Sequence, residues 1–128
     1  MTDQLIMRGL RGAITVDDDD GAQIRQATAE MLTALMERNA VDSENIVSMM
    51  FTATQDLRAD FPAVAAREMG MTRVPLMCAP EIDVPGSMPR CIRVMIHCYM
   101  PREATPRHVY LRDAVRLRAD LADEADVQ

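Results

Sequence analysis

Cys91-Ile92-Arg93-Val94-Met95-Ile96-His97-Cys98-Tyr99 is the stretch on which the reading of the chain turns. Ile92, Val94, Ile96 and Cys98 fall on one side, and Arg93, Met95 and His97 on the other. That period-two alternation is the pattern of a β-strand. Arg93 therefore projects from a rigid element, not from a loop.

Upstream, Val74 to Cys78 is strand-like, and Pro80, Pro85, Gly86 and Pro89 break the chain between the two strands. The intervening loop carries Glu81 and Asp83. Phe61 to Met69 reads as a short helix bearing Arg67, with Pro62 where a first helical turn tolerates it and Gly70 at its stop. Ile46 to Thr52 is a short apolar run whose length and β-branching favour a buried strand. Before it, Ile24, Ala27, Met31, Ala34 and Leu35 recur at helical spacing, predicting a helix over 20–38. Ile6 to Val16 reads as extended, with Arg11 sharing a face with Met7, Gly9 and Ala13; the two glycines, Gly9 and Gly12, are expected to leave room for a ligand. Downstream, Arg107 to Arg118 is open between strand and helical turn. Residues 1–5 and 119–128 are expected to be mobile. The order strand, helix, strand, helix, strand, strand predicts a mixed α/β sheet with helices on one face, in a single domain spanning 1–128.

Composition narrows the function. With 128 residues and an apolar fraction of 48%, the chain can bury a core, although Phe51, Phe61, Tyr99 and Tyr110 are its only aromatics. A formal charge of −6 opposes a nucleic-acid or anionic-membrane partner, because both require a basic face. Cys78, Cys91 and Cys98 lack metal or redox spacing, and neither a leader nor a membrane-length apolar span is seen, so a reduced, cytoplasmic protein is expected. All fourteen basic residues are arginine. A GC-rich genome produces the same bias, but guanidinium groups also grip carboxylates at two points, which an ammonium does not.

Motifs for covalent chemistry are lacking: there is no GxSxG elbow and no phosphate loop. Asp17 to Asp20 read as a capping or solvated run, not a metal site. Cys91, His97 and Cys98 do not make a zinc set, because adjacent strand residues face opposite sides. What remains is a group of elements carrying Arg11, Arg67, Arg93 and Arg118, with one loop glutamate and one tyrosine. By themselves these residues predict an anion pocket.

Several segments, in order, resemble one family. Arg8-Gly9-Leu10-Arg11-Gly12-Ala13, Ala53-Thr54-Gln55-Asp56-Leu57 with Phe61-Pro62-Ala63, and Val74 to Val84 are similar to the monofunctional AroH-class chorismate mutases. So are Cys91-Ile92-Arg93-Val94-Met95, Arg107-His108-Val109-Tyr110-Leu111 and Leu117-Arg118-Ala119-Asp120-Leu121, and the likeness runs from about residue 7 to 121.

The resemblance implies a homotrimer with a barrel-like (pseudo-α/β-barrel) core, sites between subunits, and no cofactor or metal. It implies rearrangement of chorismate to prephenate, with Arg93 as the central catalytic cation facing the ether oxygen and a substrate carboxylate. Glu81 takes the substrate hydroxyl with the backbone around Cys78 and orients the guanidiniums. Arg11 and Tyr110 take the side-chain carboxylate, Phe61 and Leu117 wall the carbocycle, and Arg67 and Arg118 are outer cations. The chain departs from the family pattern at Val64, where lysine is frequent, and at Met77, where a small hydroxyl residue is usual. Two other readings stand beside the enzyme: a trimeric module that binds a carboxylated metabolite without turnover, and an acidic scaffold acting only through protein contacts.

Overall fold

The computed structural model describes residues 4–118. Residues 1–3 and the expected mobile tail at 119–128 lie outside the described residues. The elements run β1 (Leu5–Thr15), α1 (Gly21–Asn39), β2 (Ile46–Ala53), α2 (Ala63–Glu68), β3 (Leu76–Pro80), β4 (Cys91–Pro101) and β5 (Val109–Leu111). A 3₁₀ turn precedes β2, and a second covers Arg112–Arg118. The strands form one mixed sheet in the order β3-β2-β4-β1-β5. β4 pairs antiparallel with both β1 and β2, while β3 and β5 join the two edges in parallel.

Side-chain alternation in β4 is as the sequence predicts. Ile92, Val94, Ile96 and Cys98 are buried, whereas Arg93, Met95 and His97 are only half-buried on the opposite face. The apolar face packs under α1, whose Ile24, Ala27, Met31, Leu32 and Leu35 join Leu10, Ile14 and Phe51 in the main core. Helix α1 starts where Asp20 accepts the Gln23 N–H at 3.0 Å, and stops where Ala40 turns left-handed at φ 51°. Asp19 is also occupied within the protein: its Oδ1 accepts from the N–H groups of Arg58 at 2.8 Å and Ala59 at 2.9 Å.

Four expectations need adjustment. β1 begins at Leu5, which pairs with Pro101, so the N-terminal strand reaches into the segment expected to be loose. β3 lies two residues later than predicted, because Pro75 has no N–H to pair and serves instead as acceptor for Met49. The ambiguous 107–118 segment is strand and turn in succession, β5 followed by the 3₁₀ turn. Gly12 does not make room for a ligand. A Cβ on Gly12 would lie 2.7 Å from Leu35 Cδ1 and 3.0 Å from Met31 Cγ, so this glycine lets α1 sit against the sheet; one on Gly9 would make an ordinary 3.5 Å contact with Met95.

Among the described residues, the second face of the sheet is covered only at one end, where Ala114 packs on Ala13 and Cys91 beside Met88, Tyr110 and Leu117. Elsewhere it is carpeted by Met7, Met50, Met77 and Tyr99, which are 42% to 63% exposed. Large apolar side chains in one exposed layer mark a surface built to be covered.

Candidate active site

Strand register assembles a line of residues across the open face. Thr52 of β2 lies opposite Arg93 of β4, Arg93 opposite Ala13 of β1, and Ala13 opposite Tyr110 of β5. Residues in one register row point to the same side of a sheet. Arg93 and Tyr110 are thus separated by a single strand carrying a one-carbon side chain. Arg11 follows on the same face, two residues along β1, and Leu117 packs near Tyr110 at the covered end.

Glu81 directly follows β3 and extends the ladder, its N–H donating to Ala53 O at 2.9 Å. Gln55 Nε2 holds its carbonyl at 3.0 Å, and Thr52 Oγ1 donates to Glu81 Oε2 at 2.6 Å. That same oxygen lies 3.1 Å from Arg93 Nε. The Arg93 N–H is not aimed along this approach, so the contact is Coulombic and Nε makes no hydrogen bond among the described residues. Glu81 is the more enclosed partner, with 15% of its side chain exposed against 37% for Arg93. The buried Tyr110 hydroxyl likewise has no hydrogen-bond partner among the described residues. A buried donor left unpaired costs about 1–3 kcal/mol, so the Tyr110 hydroxyl is suited to meeting an incoming anion, while Arg93 Nε faces Glu81 and leaves its two terminal nitrogens for one.

Chemistry on this face is electrostatic. Burial pushes the thiol of Cys91 up to about 11, against the opposing pull of Arg93, so it remains protonated and is a poor nucleophile.

Phe61 and Cys78 belong to a different place. Together with Phe51, Leu57, Pro62 and Pro80 they line a cleft of about 570 Å³ beside the 54–62 loop. None of Arg11, Glu81, Arg93 or Tyr110 is in its wall. Cys78 pairs with Phe51, a core residue, and therefore points to the helix-covered face, away from Arg93. Asp60, in the cleft wall, is held by Arg25, whose Nη1 lies 2.6 Å from Asp60 Oδ2. That bond holds the Asp60 carboxyl below its usual range. Arg67, exposed in the last turn of α2, adds a smaller, longer-range contribution to the same lowering and is not in the cleft wall. The side chain of Arg118 lies outside the described residues.

The described residues singled out from the sequence thus fall in two separate places on the chain. Sequence reasoning missed Thr52 and Gln55, which hold Glu81, because neither type carries a chemical signature and only strand register reveals their positions. It also missed His108, whose Nδ1 accepts the Arg11 backbone N–H at 3.0 Å.

A mixed five-stranded sheet with helices on one face and an arginine, a glutamate and a tyrosine on the other defines a small α/β protein with a polar cluster on its open face. Its relatives are more specific. The family model for chorismate mutase type I matches residues 7–121. The chain belongs to that family. It is 51% identical over 119 residues to the chorismate mutase AroH of Thermus thermophilus, covering 91% of this chain and 97% of that protein. Its identity to the chorismate mutase AroH of Bacillus subtilis (strain 168) is 43% over 121 residues, 92% of this chain and 94% of that one. The solved chorismate mutase from Clostridium thermocellum shares the fold with a TM-score of 0.80 at 45% identity, covering 84% of this chain and 96% of that one.

Proposed function

We propose that the protein is a chorismate mutase, an isomerase of phenylalanine and tyrosine biosynthesis acting in the cytoplasm. The observation that carries this reading is Arg93, a cation mounted on the central strand of the sheet and partnered by Glu81, in a chain of this family.

The reaction is an intramolecular rearrangement: the ether C–O bond breaks as a C–C bond forms, and no proton changes place. An active site contributes by holding the compact conformer of a flexible dianion and by stabilising charge on the departing oxygen. Arg93 faces that oxygen and a carboxylate. Arg11 and Tyr110 hold the side-chain carboxylate, and Glu81, with the backbone at Cys78, takes the hydroxyl. Phe61 and Leu117 wall the ring, while Arg67 and Arg118 draw the dianion in. Enzymatic barrier lowering begins near ~8 kcal/mol, a scale that preorganisation and a fixed guanidinium can supply together. No cofactor or metal has a step to perform.

Because the cleft lined by Phe61 and Cys78 holds none of Arg11, Glu81, Arg93 or Tyr110, a pocket shared between two chains is the arrangement that brings both sets to one substrate. The exposed methionine layer supports a homotrimer in which the open face of one subunit meets the cleft of the next. Among the described residues no helix is long and apolar enough to cross a membrane.

The test is loss of chorismate ultraviolet absorbance with purified protein, with prephenate identified by its acid conversion to phenylpyruvate. Rapid loss with prephenate formed is the expected result. Calorimetric binding of chorismate without turnover would instead make this a trimeric binding module.

A further inference from the structure

His108 sits immediately before β5, where the parallel ladder with β1 begins at the Gly12–Val109 pair. Arg11 is the next residue back along β1, beyond the last paired position of β5. Its backbone N–H donates to the imidazole Nδ1 of His108 at 3.0 Å. The imidazole takes the place of a main-chain carbonyl and extends the ladder by one bond at the residue that carries the arginine. The segment is fixed from the other side as well. Asn39, buried at the end of α1, accepts the Arg107 N–H at 2.7 Å through Oδ1 and donates through Nδ2 to Arg107 O at 2.9 Å. A further bond from Nδ2 to Leu35 O at 2.8 Å ties Asn39 to its own helix. Helix α1, Asn39, Arg107, His108 and the Arg11 backbone therefore form one continuous brace beneath the pair Arg11 and Tyr110.

We propose that His108 is a positioning residue for substrate binding: its unprotonated Nδ1 locks the backbone of Arg11 to the strand that carries Tyr110, fixing the spacing of the two groups that grip the substrate's side-chain carboxylate. This rests on the chorismate mutase reading of those two residues. His108 is assigned no contact with the substrate. Two groups that must meet one carboxylate together lose much of their grip when their backbones can slide apart, because the geometry is then assembled only at binding. The carboxylate is held equally before and during the rearrangement, so the loss falls on KM more than on kcat.

The geometry also says which substitutes will work. Asn places its Oδ1 where Nδ1 of histidine lies and can accept the same N–H; Gln carries its oxygen one bond further out, and Leu carries none. His108→Leu and His108→Gln are expected to raise KM about tenfold, the scale of one half-buried amide left without an acceptor, with kcat within about threefold of the unsubstituted protein. His108→Asn is expected to restore KM to within about threefold. Amide hydrogen exchange at Arg11 should accelerate in the Leu and Gln variants and stay slow in the Asn variant. If His108→Leu does not fold, the Gln and Asn pair carries the same contrast. The proposal is overturned if His108→Asn is as impaired as His108→Gln, if the loss lies in kcat with KM unchanged, or if Arg11 exchange is the same in all variants. Should the unsubstituted protein not turn over chorismate, the functional reading fails by itself, and exchange at Arg11 with calorimetric affinity for chorismate still decides the role of His108.

Discussion

Replacing Arg93 with lysine keeps the positive charge but removes the fork, and the geometry around Glu81 sets the consequence. Arg93 places Nε 3.1 Å from Glu81 Oε2, which leaves two further nitrogens for a ligand. Lysine has one nitrogen. It can satisfy Glu81 or reach the breaking ether bond, but not both. Arg93 is 37% exposed and lysine keeps the charge beside Glu81, so the change in ion-pair stability is about 0–1 kcal/mol and the variant should fold normally. Losing one preorganised donor to developing negative charge costs about 10²–10³ in kcat, or ~2.7–4 kcal/mol. Arg93→Lys is therefore expected to lose on that order, and Arg93→Ala at least as much, with smaller changes in KM. Initial rates of chorismate absorbance loss over a range of substrate concentrations measure this, beside thermal melts that establish folding. A lysine variant keeping kcat to within about threefold, less than 1 kcal/mol, would refute the argument that the guanidinium's extra nitrogens act in the transition state.

Thr52→Val removes the 2.6 Å bond to Glu81 without changing side-chain shape; about a tenfold fall in kcat/KM is expected, and an unchanged value would show that Glu81 needs no brace. Gly12→Ala pushes a methyl to 2.7 Å from the fully buried Leu35, so a loss of about 1–3 kcal/mol in urea unfolding is expected, and a neutral result would mean that α1 can withdraw freely. The Cys91 thiol is raised by burial from 9.0 to about 11, so the folded state keeps a proton that the unfolded chain gives up. Stability from this source is complete below pH 9 and falls as pH climbs towards about 11; Cys98, raised in the same direction by burial, adds to the loss. Urea midpoints measured from pH 8 to 10.5 should fall less steeply in Cys91→Ala, and parallel slopes would contradict the assignment.

Elements whose pattern is local were readable from the sequence. β4 alternates because one face meets the core within its own strand, and α1 shows its stripe and its Asp20 cap within twenty residues. β3 was misplaced because its register depends on Pro75 and on pairing with β2, which no local pattern encodes. The same limit explains the site. Arg93, Glu81, Arg11 and Tyr110 could be singled out by type and family likeness, but the Thr52–Glu81–Arg93 cluster exists only because three strands distant in sequence align. Gly12 was misread for the same reason: the atoms that require its missing side chain belong to α1, some twenty residues away.

A site divided between the open face of one subunit and the cleft of another would link catalysis to abundance. If each pocket needs the open face of one subunit and the cleft of another, an isolated chain can be fully folded and still be inert. Specific activity would then fall on dilution with the dissociation of subunits rather than with unfolding, and substrate that bridges the two halves would hold the subunits together by mass action. A cell expressing the protein sparsely would gain less than proportional turnover, and saturating chorismate would offset part of that deficit.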